Sequence, residues 1–533
     1  MGVSHAERWG RAITGLHPSR MGALPLVLPI LQALQVAPLT NALVPNRSTV
    51  DDGRIVVLLI LNRLLAPQPL YRVQDWLADT VLPEVLGLSA QHVYDNRLGR
   101  TLDRLHPHLG ELWARLAGGA IRVYDLDLSV LHWDITSIYF EGAYTDSALA
   151  TYGYSRDHRP DTKQLNLEAD VTHDGQVPIL YQTLPGNTAD ITRPVAHLEA
   201  LLRFLGRPEL RGRHWHPLLV SDGKMISPEA VRACHDHDLY YLGPLPEGKA
   251  TEALLRSVTA TELAAHPLAY RPQRVPPGDA AFVPYQGVWR PVTFAHGDQR
   301  FTDRALVVWS AGKERLDAQK GKTYLKRLLN GLAAIQKKLN AGRYRRRAYV
   351  EQRLAALQRD HRCQGLVDIA LHGTDDAMEL TFRVNRQRLA EVQALNGRYA
   401  LVTNAGHLDA TEALTLYKGQ DGVEKRFGAL KGPLVVHPLL VRTDRRIEGL
   451  VFISLVALLV RAVLERACRQ RGLPLTASRL FQGFDGLQAV DVVWRDGSRQ
   501  RRMGPTTAFQ ERVLRALNWP WPETYASGAL TLT

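Results

Sequence analysis

Cysteine is scarce: Cys234, Cys363 and Cys468 are the only three in 533 residues, odd in number and widely scattered. That excludes a disulfide framework and the paired ligand spacing of a zinc site, so structural thiols are expected. Long apolar runs are also missing. The longest, residues 450–460, stops at Arg461, well short of the roughly 20 residues that cross a bilayer as a helix, and a buried helix is expected there. No secretory signal opens the chain, because the apolar stretch 24–34 is interrupted by Pro25 and Pro29 and lacks a small-residue cleavage site. These absences predict a cytoplasmic protein with no membrane partner. Acidic residues fall short of basic ones, 53 against 66, for a net charge of +13, which calls for a polyanionic partner.

What is present suffices for several cores. At 533 residues and 45% hydrophobic content the chain is too long for one typical domain. Residues 1–118 read as a helical N-terminal domain with little strand-like alternation, and Ser89 gives a weak helix-turn-helix signal. From 123 the period changes to two. Leu131, Trp133 and Ile135 alternate with His132, Asp134 and Thr136; Leu165, Leu167, Ala169 and Val171 alternate with Gln164, Asn166, Glu168 and Asp170. Asp174-Gly175 supplies a hairpin turn into a third strand at 177–184. Asp190 is the expected cap of the next helix, a fourth strand at 216–221 ends on Asp222, Ser227-Pro228 opens another helix, and 239–242 gives a fifth strand. This order predicts an α/β, ribonuclease-H-like (retroviral-integrase-like) core in two parts, 119–246 and 399–470. A large insertion domain, 247–398, interrupts it, and a C-terminal region, 471–533, carries a hairpin at Asp496-Gly497.

The insertion begins with strands at 280–289, 292–294 and 305–309, and Trp289 and Trp309 among them are either base-stacking groups or core. It then turns basic, with 15 basic and four acidic residues between 313 and 362. Leu325, Leu328, Leu329, Leu332, Ile335 and Leu339 recur at helical spacing, and the cluster Arg343, Arg345, Arg346, Arg347 follows. One face packs and the basic side chains face phosphates or simply solvent.

Three acids stand where this core would concentrate them: Asp134 on the first strand, Asp222 at the end of the fourth, and Glu424 on a later helix. Phosphodiester chemistry with divalent ions needs hard oxygen ligands, which carboxylates supply. Asp125 and Asp127 compete with Asp134, and His132 on the same strand face is either a ligand or a hydrogen-bonded core histidine. Arg156, Arg159 and Lys163 form either a phosphate clamp or a solvated basic turn. Tyr417, Glu424 and Lys431, seven apart, are expected along one face of a single helix. Gly419, Gly422 and Gly428 there each cost about 1 kcal/mol unless packing compensates.

The run Y-K-G-Q-D-G-V-E-K-R-F-G-A-L-K from Tyr417 to Lys431 resembles the third-acid signature of insertion-sequence transposases of the DDE class, in the group with Tyr-x2-Arg-x3-Glu-x6-Lys. Similar too are W-D-I-T-S-I-Y-F around Asp134, G-Y-S-R-D-H-R-P-D from Gly153, P-G-N-T-A-D from Pro185 and S-D-G-K-M-I-S around Asp222. The resemblance covers most of the chain. It implies that Asp134, Asp222 and Glu424 hold two Mg²⁺ ions, with Mn²⁺ as a substitute, and that Tyr417 and Lys431 contact DNA phosphates. It further implies terminal inverted repeats and target DNA as double-stranded partners, a homodimer on DNA, and nucleoid association through that binding. Gln420 stands where the signature has arginine, so the resemblance implies a DNA contact there in which a neutral side chain replaces a charged one, and Gly223-Lys224-Met225 departs from relatives that place a basic residue before the glycine. The alternatives are a catalytically inactive or repurposed DNA-binding relative, or a nuclease of the same fold.

Overall fold

A computed structural model describes residues 13–46, 48–210, 215–276, 278–359, 365–434 and 441–526; Cys363 lies outside them. The chain forms two compact units. The first comprises Met1–Met225, Ala233–Tyr240 and Lys418–Thr533, the second Ile226–Arg232 and Tyr241–Tyr417. The main elements in chain order are β1 (Ile13–Arg20), α1 (Leu24–Ala33), α2 (Asp52–Leu65), α3 (Asp95–Leu105), α4 (Leu109–Val123), β2 (Val130–Phe140), β3 (Lys163–Thr172), β4 (Pro178–Pro185), α5 (Pro194–Leu205), β5 (Leu218–Ser221), α6 (Pro228–Asp236) and β6 (Tyr240–Pro244). Then come β7 (Pro267–Leu268), β8 (Tyr285–His296), β9 (Gln299–Trp309), α7 (Ala311–Lys338), β10 (Val367–Thr374), β11 (Ala377–Val384), β12 (Arg398–Thr403), α8 (Ala410–Lys418), α9 (Asp421–Lys431), α10 (Asp444–Gln470), β13 (Gln488–Trp494) and β14 (Arg499–Met503).

In the first unit the strands lie in the order β4-β3-β2-β5. The β2–β3 and β3–β4 pairs are antiparallel and β2–β5 is parallel, as the sequence order predicts. The turn between β3 and β4 runs through Gly175, whose φ of +97° suits glycine. Ser227 caps α6 through the Ala230 amide, 3.2 Å from its hydroxyl. Asp190 does not cap α5: it lies in a 3₁₀ turn and pairs with Arg156, while Arg193 takes the cap position and Pro194 the first helical one. The N-terminal segment is helical except for β1, which pairs antiparallel with β13. Its partner lies more than 450 residues away in sequence, so no local pattern announces it.

Helix α10 is longer than the apolar run suggests. By length and composition its 27 residues could cross a membrane, yet 94% of the apolar window is buried inside the protein. It packs against α1, α2 and α3, and the charges that end the run are absorbed within the fold. Glu465 accepts from Arg426 at 2.6 Å and from the Ala477 amide at 2.8 Å, and Arg466 bonds Asp174 and the Tyr124 carbonyl, both at 2.7 Å.

The second unit holds β6-β12-β9-β8-β7 in that order. β8 and β9 form one long hairpin where the sequence suggested three pieces. Pro291, which lacks an N–H, sits beyond the two residues of β8 that pair with β7, where the strand is an edge. α7 buries Leu328, Leu332 and Ile335 against the β10–β11 hairpin in its own small core, as the helical spacing predicts.

The sequence alternation on β3 predicts one polar face, but both faces are buried: Glu168 is 1% exposed and Asp170 fully buried. Helix α5 accounts for this by placing His197 between them, Nε2 at 3.1 Å from Asp170 and Nδ1 at 3.3 Å from Glu168. Arg193 adds a bond to Glu168 at 2.8 Å, and the Trp133 indole donates to the same carboxylate at 2.9 Å while stacking on His197. Burial alone would lower the His197 pKa, but the two carboxylates outweigh it and raise it to about 9. Burial pushes Asp170 up, whereas His197 and Arg193 overcome burial to hold Glu168 down.

A folded pKa of about 9 against 6.5 in the unfolded chain means that His197 contributes stability fully below pH 6.5 and loses it as pH rises through 9. Urea midpoints of the wild-type protein should therefore fall across this window, and those of His197→Gln should fall less steeply. Equal slopes for the two proteins would show that the imidazolium does not hold the pair.

Candidate active site

The parallel register of β2 and β5 decides where the two aspartates lie. Val130 pairs with Leu218 and Trp133 with Ser221, so Asp134 follows the last paired residue on β2 and Asp222 follows the end of β5, on strands that run about 4.8 Å apart. Asp134 is half-buried, with Oδ1 accepting from the Ile135 amide at 2.7 Å. Asp222 is half-buried and leads into the 3₁₀ turn Gly223–Met225. Asp127, the rival of Asp134, closes a local turn, accepting from the amide and hydroxyl of Ser129, both at 2.8 Å. Asp125 adopts a φ of +45° ahead of β2.

Glu424 comes to these strands on α9, which packs against β2. The expected single helix from Tyr417 to Lys431 is broken. α8 ends at Lys418 and α9 begins at Asp421; Gly419 and Gln420 lie between them, their carbonyls accepting three residues on from the Gly422 and Val423 amides in the first turn of α9. Tyr417 therefore does not share a helix face with Glu424. At the start of α9 the Gln420 amide donates to the Trp133 carbonyl at 2.8 Å and its oxygen lies 3.1 Å from His132 Nδ1. Glu424 is exposed and four residues further on, hence on the same side of the helix.

Two features hold α9 down. Gly422 lies against Gln176, where a Cβ would come within 2.6 Å of that side chain; close packing thus offsets the cost of this glycine. Arg426 is buried, donating to the Gly175 carbonyl at 2.8 Å, the Gln176 carbonyl at 3.0 Å and Glu465 at 2.6 Å. His132 is wholly buried and burial lowers its pKa to about 4, so it is neutral. Its Nε2 lies 2.9 Å from Nδ1 of His173. That is the hydrogen-bonded core histidine of the two readings.

The basic residues of the loop before β3 are engaged within the protein. Arg156 pairs with Asp190 at 2.5 Å, Arg159 with Asp161 at 3.1 Å while lying over the Tyr139 ring, and the Lys163 ammonium donates to the Tyr144 carbonyl at 2.7 Å. Lys431, at the end of α9, pairs with Asp157 of the same loop at 2.7 Å. The glycine motifs meet here as backbone against backbone: a Cβ on Gly153 would sit 1.9 Å from the Gly186 oxygen. The buried amides of Gln164 and Asn166 satisfy the carbonyls of Tyr154, Gly186 and Thr188.

In the second unit Arg343, Arg345 and Arg346 are exposed, Arg345 lying 3.6 Å from Asp376. Arg347 is instead structural, bonding the Gly373 carbonyl at 2.6 Å, the Leu371 carbonyl at 3.1 Å and Glu351 at 2.8 Å. Trp289 stacks under the Arg304 guanidinium at 4.1 Å, and Trp309 packs on the small core of Val258, Leu263, Val288 and Val307.

The carboxylate oxygens of Asp134, Asp222 and Glu424 fit hard divalent ions in donor type. Among the described residues, however, no three His, Cys, Asp or Glu side chains stand close enough together to hold one metal ion. Glu424 is exposed, whereas Asp134 and Asp222 are half-buried.

A sheet ordered β4-β3-β2-β5, antiparallel except for the β2–β5 pair and with α9 packed on β2, defines an α/β core of the ribonuclease-H-like class. The chain belongs to the transposase DDE domain family, whose model matches residues 126–460; it is a DNA transposase, and the family implies dependence on divalent metal. Residues 17–117 match a second model, a domain of unknown function (DUF4277). No curated protein matches. Among solved structures, a piggyBac transposase synaptic complex with hairpin DNA is 9% identical over 88% of this chain and 82% of that one, with a TM-score of 0.39. The Mos1 transposase paired-end complex with a left transposon end is 18% identical over 39% of this chain, which spans 62% of the Mos1 chain, with a TM-score of 0.17.

Sequence patterns do not single out Arg426, His173 or Asp157, because each matters through a partner distant in the chain. Removing the Arg426 guanidinium leaves Glu465 buried and two carbonyls unmet, so Arg426→Ala should lose about 3–5 kcal/mol of stability. Denaturant unfolding measures this, and a loss below about 1 kcal/mol, the range of a surface pair, would show that the clamp is not holding α9.

Proposed function

We propose that this transposase binds the terminal inverted repeats of its own element, cuts the DNA at both ends and joins the freed 3′-hydroxyls to target DNA. Asp134, Asp222 and Glu424 are its metal-holding carboxylates. The observation that supports this reading is the β2–β5 register, in which Trp133 and Ser221, the residues just before Asp134 and Asp222, are paired, together with the packing of the Glu424 helix on β2. Asp134, Asp222 and Glu424 would hold two divalent ions, Mg²⁺ or Mn²⁺ in its place, which would supply Lewis acidity to the attacking and leaving oxygens.

The chain itself contributes position and charge. The β2 and β5 backbones fix two carboxylates at one level, and Arg426 fixes the helix that brings the third. Lys431 exchanges Asp157 for a DNA phosphate, and Tyr417 contacts the backbone near the cut, as in the group with the Tyr-Arg-Glu-Lys signature. Arg156 and Arg159 keep the loop in shape and offer their remaining donors to the phosphates beside Lys163. The helical segment 1–118 and the basic arm of the 247–398 insertion supply further DNA contacts, with 399–470 completing the core and 471–533 following it. Two ends are held at once, so the working form is a homodimer on DNA, at the nucleoid.

Asp134→Asn, Asp222→Asn and Glu424→Gln should each abolish cleavage and joining while leaving repeat binding largely intact. Nicking of a labelled end fragment measures it, and near-normal cutting by one variant would remove that residue from the site. Cleavage without joining by the parent would make it a nuclease, and binding without cleavage an inactive relative.

Replacing Arg343, Arg345 and Arg346 together with Ala should weaken binding to all sequences and flatten its salt dependence by up to about 0.9 log units for each phosphate no longer neutralised. Arg347→Ala should instead reduce stability, given its bonds to the β10 carbonyls. An unchanged salt slope in the triple variant would return the arm to an ordinary solvated surface.

A further inference from the structure

We infer that Gln420 is a positioning residue that sets Glu424 against Asp134, and that it does so through a hydrogen-bond chain of fixed direction from His173 through His132 to the Trp133 carbonyl. This rests on the role proposed for the two acids. The direction follows from chemistry. The Trp133 carbonyl can only accept, so Nε2 of Gln420 is the atom 2.8 Å from it and Oε1 faces His132 Nδ1 at 3.1 Å. An amide oxygen also only accepts, so His132 Nδ1 carries the proton and its Nε2 is left as an acceptor. His173 Nδ1, 2.9 Å away, must then donate. Both imidazoles are thereby held as Nδ1–H tautomers, and every polar atom in the chain has one role.

The consequence is geometric. Gln420 lies at the cap position of α9 and Glu424 one turn inside it, while Trp133 is the residue before Asp134 on β2. One side chain therefore ties the start of the glutamate helix to the strand beside the first aspartate. His173 extends the tie to the end of β3, its own amide bonding the Val130 carbonyl at 3.0 Å. The site needs a donor and an acceptor on one short side chain. Glutamate cannot donate to Trp133, arginine cannot accept from His132, and asparagine is a methylene too short. With its amide so engaged, Gln420 is not the neutral replacement of a phosphate contact that its place in the signature suggests.

Full-length protein with ¹⁵N-labelled histidine tests the chain directly, with assignments from His132 and His173 variants. Nitrogen shifts should show Nδ1–H tautomers for both, and the His132 signal should change in Gln420→Leu. An Nε2–H tautomer at His132 in the parent would overturn the inference whether or not the protein cuts DNA. In cleavage assays Gln420→Leu and Gln420→Glu should lower kcat by about 10–100-fold, the usual cost of losing a group that orients a metal ligand, with KM for the DNA end unchanged. A rise in KM at constant kcat would make Gln420 a DNA contact instead. His132→Asn keeps a donor toward Oε1 and should recover most of the kcat that His132→Leu loses; equal loss in both would break the chain at His132. Parental tautomers together with full cleavage by Asp134→Asn would sink the proposed active site and leave the hydrogen-bond chain standing.

Discussion

The Arg426 guanidinium divides its donors among two turn carbonyls, those of Gly175 and Gln176, and the buried carboxylate of Glu465. Those three acceptors belong to the β3–β4 turn and to α10, so one side chain of α9 holds its helix to the sheet and to the longest helix of the unit. A charge this deeply buried is favourable only when all its partners are in place. Glu465 is itself shared with the Ala477 amide, and Arg466, one residue on, grips the same turn through Asp174. The position of Glu424 is thus inherited from a buried network whose members are otherwise remote from the acids.

The sheet of the first unit carries different chemistry on its two faces. His132 points to the α9 side, where Gln420 meets it, and Asp134, two residues on, shares that strand face. Trp133 points the other way, into the cluster of Glu168, Asp170, His197 and Arg193 under α5. Successive residues of one strand therefore serve the candidate site and the charged core in alternation, as the two-residue period requires. Three buried ionisable groups and the half-buried Arg193 under one strand are costly unless paired, and here each carboxylate has a cationic neighbour.

Basic residues divide into those absorbed by the fold and those left outside it. Arg156, Lys163, Lys431 and Arg347 have close internal partners, so their charge stabilises loops and turns before any ligand arrives. Arg343, Arg345 and Arg346 are exposed, and exposed charge sums into the long-range field that draws a polyanion. A net charge of +13 is consequently a weaker guide to a binding surface than the pairing of each group.

Legible in the chain alone were the order of strands, the D-G turn, the Ser227 cap, the buried face of the basic helix and the motifs around the three acids. Each of these is written in local patterns: a period of two or 3.6, a turn dipeptide, a capping residue. Folding in three dimensions was needed to show that β1 pairs with β13, that both faces of β3 are covered, that the 417–431 heptad breaks at Gly419 and Gln420, and that Gln420 turns inward to Trp133. Except for the helix break, a local turn in which Gly422 and Val423 bond back to Gly419 and Gln420, each depends on a partner from another element. Alternation reports which residues share a face but not whether another element will cover it, and seven-residue spacing reports a helix face only where the helix is continuous.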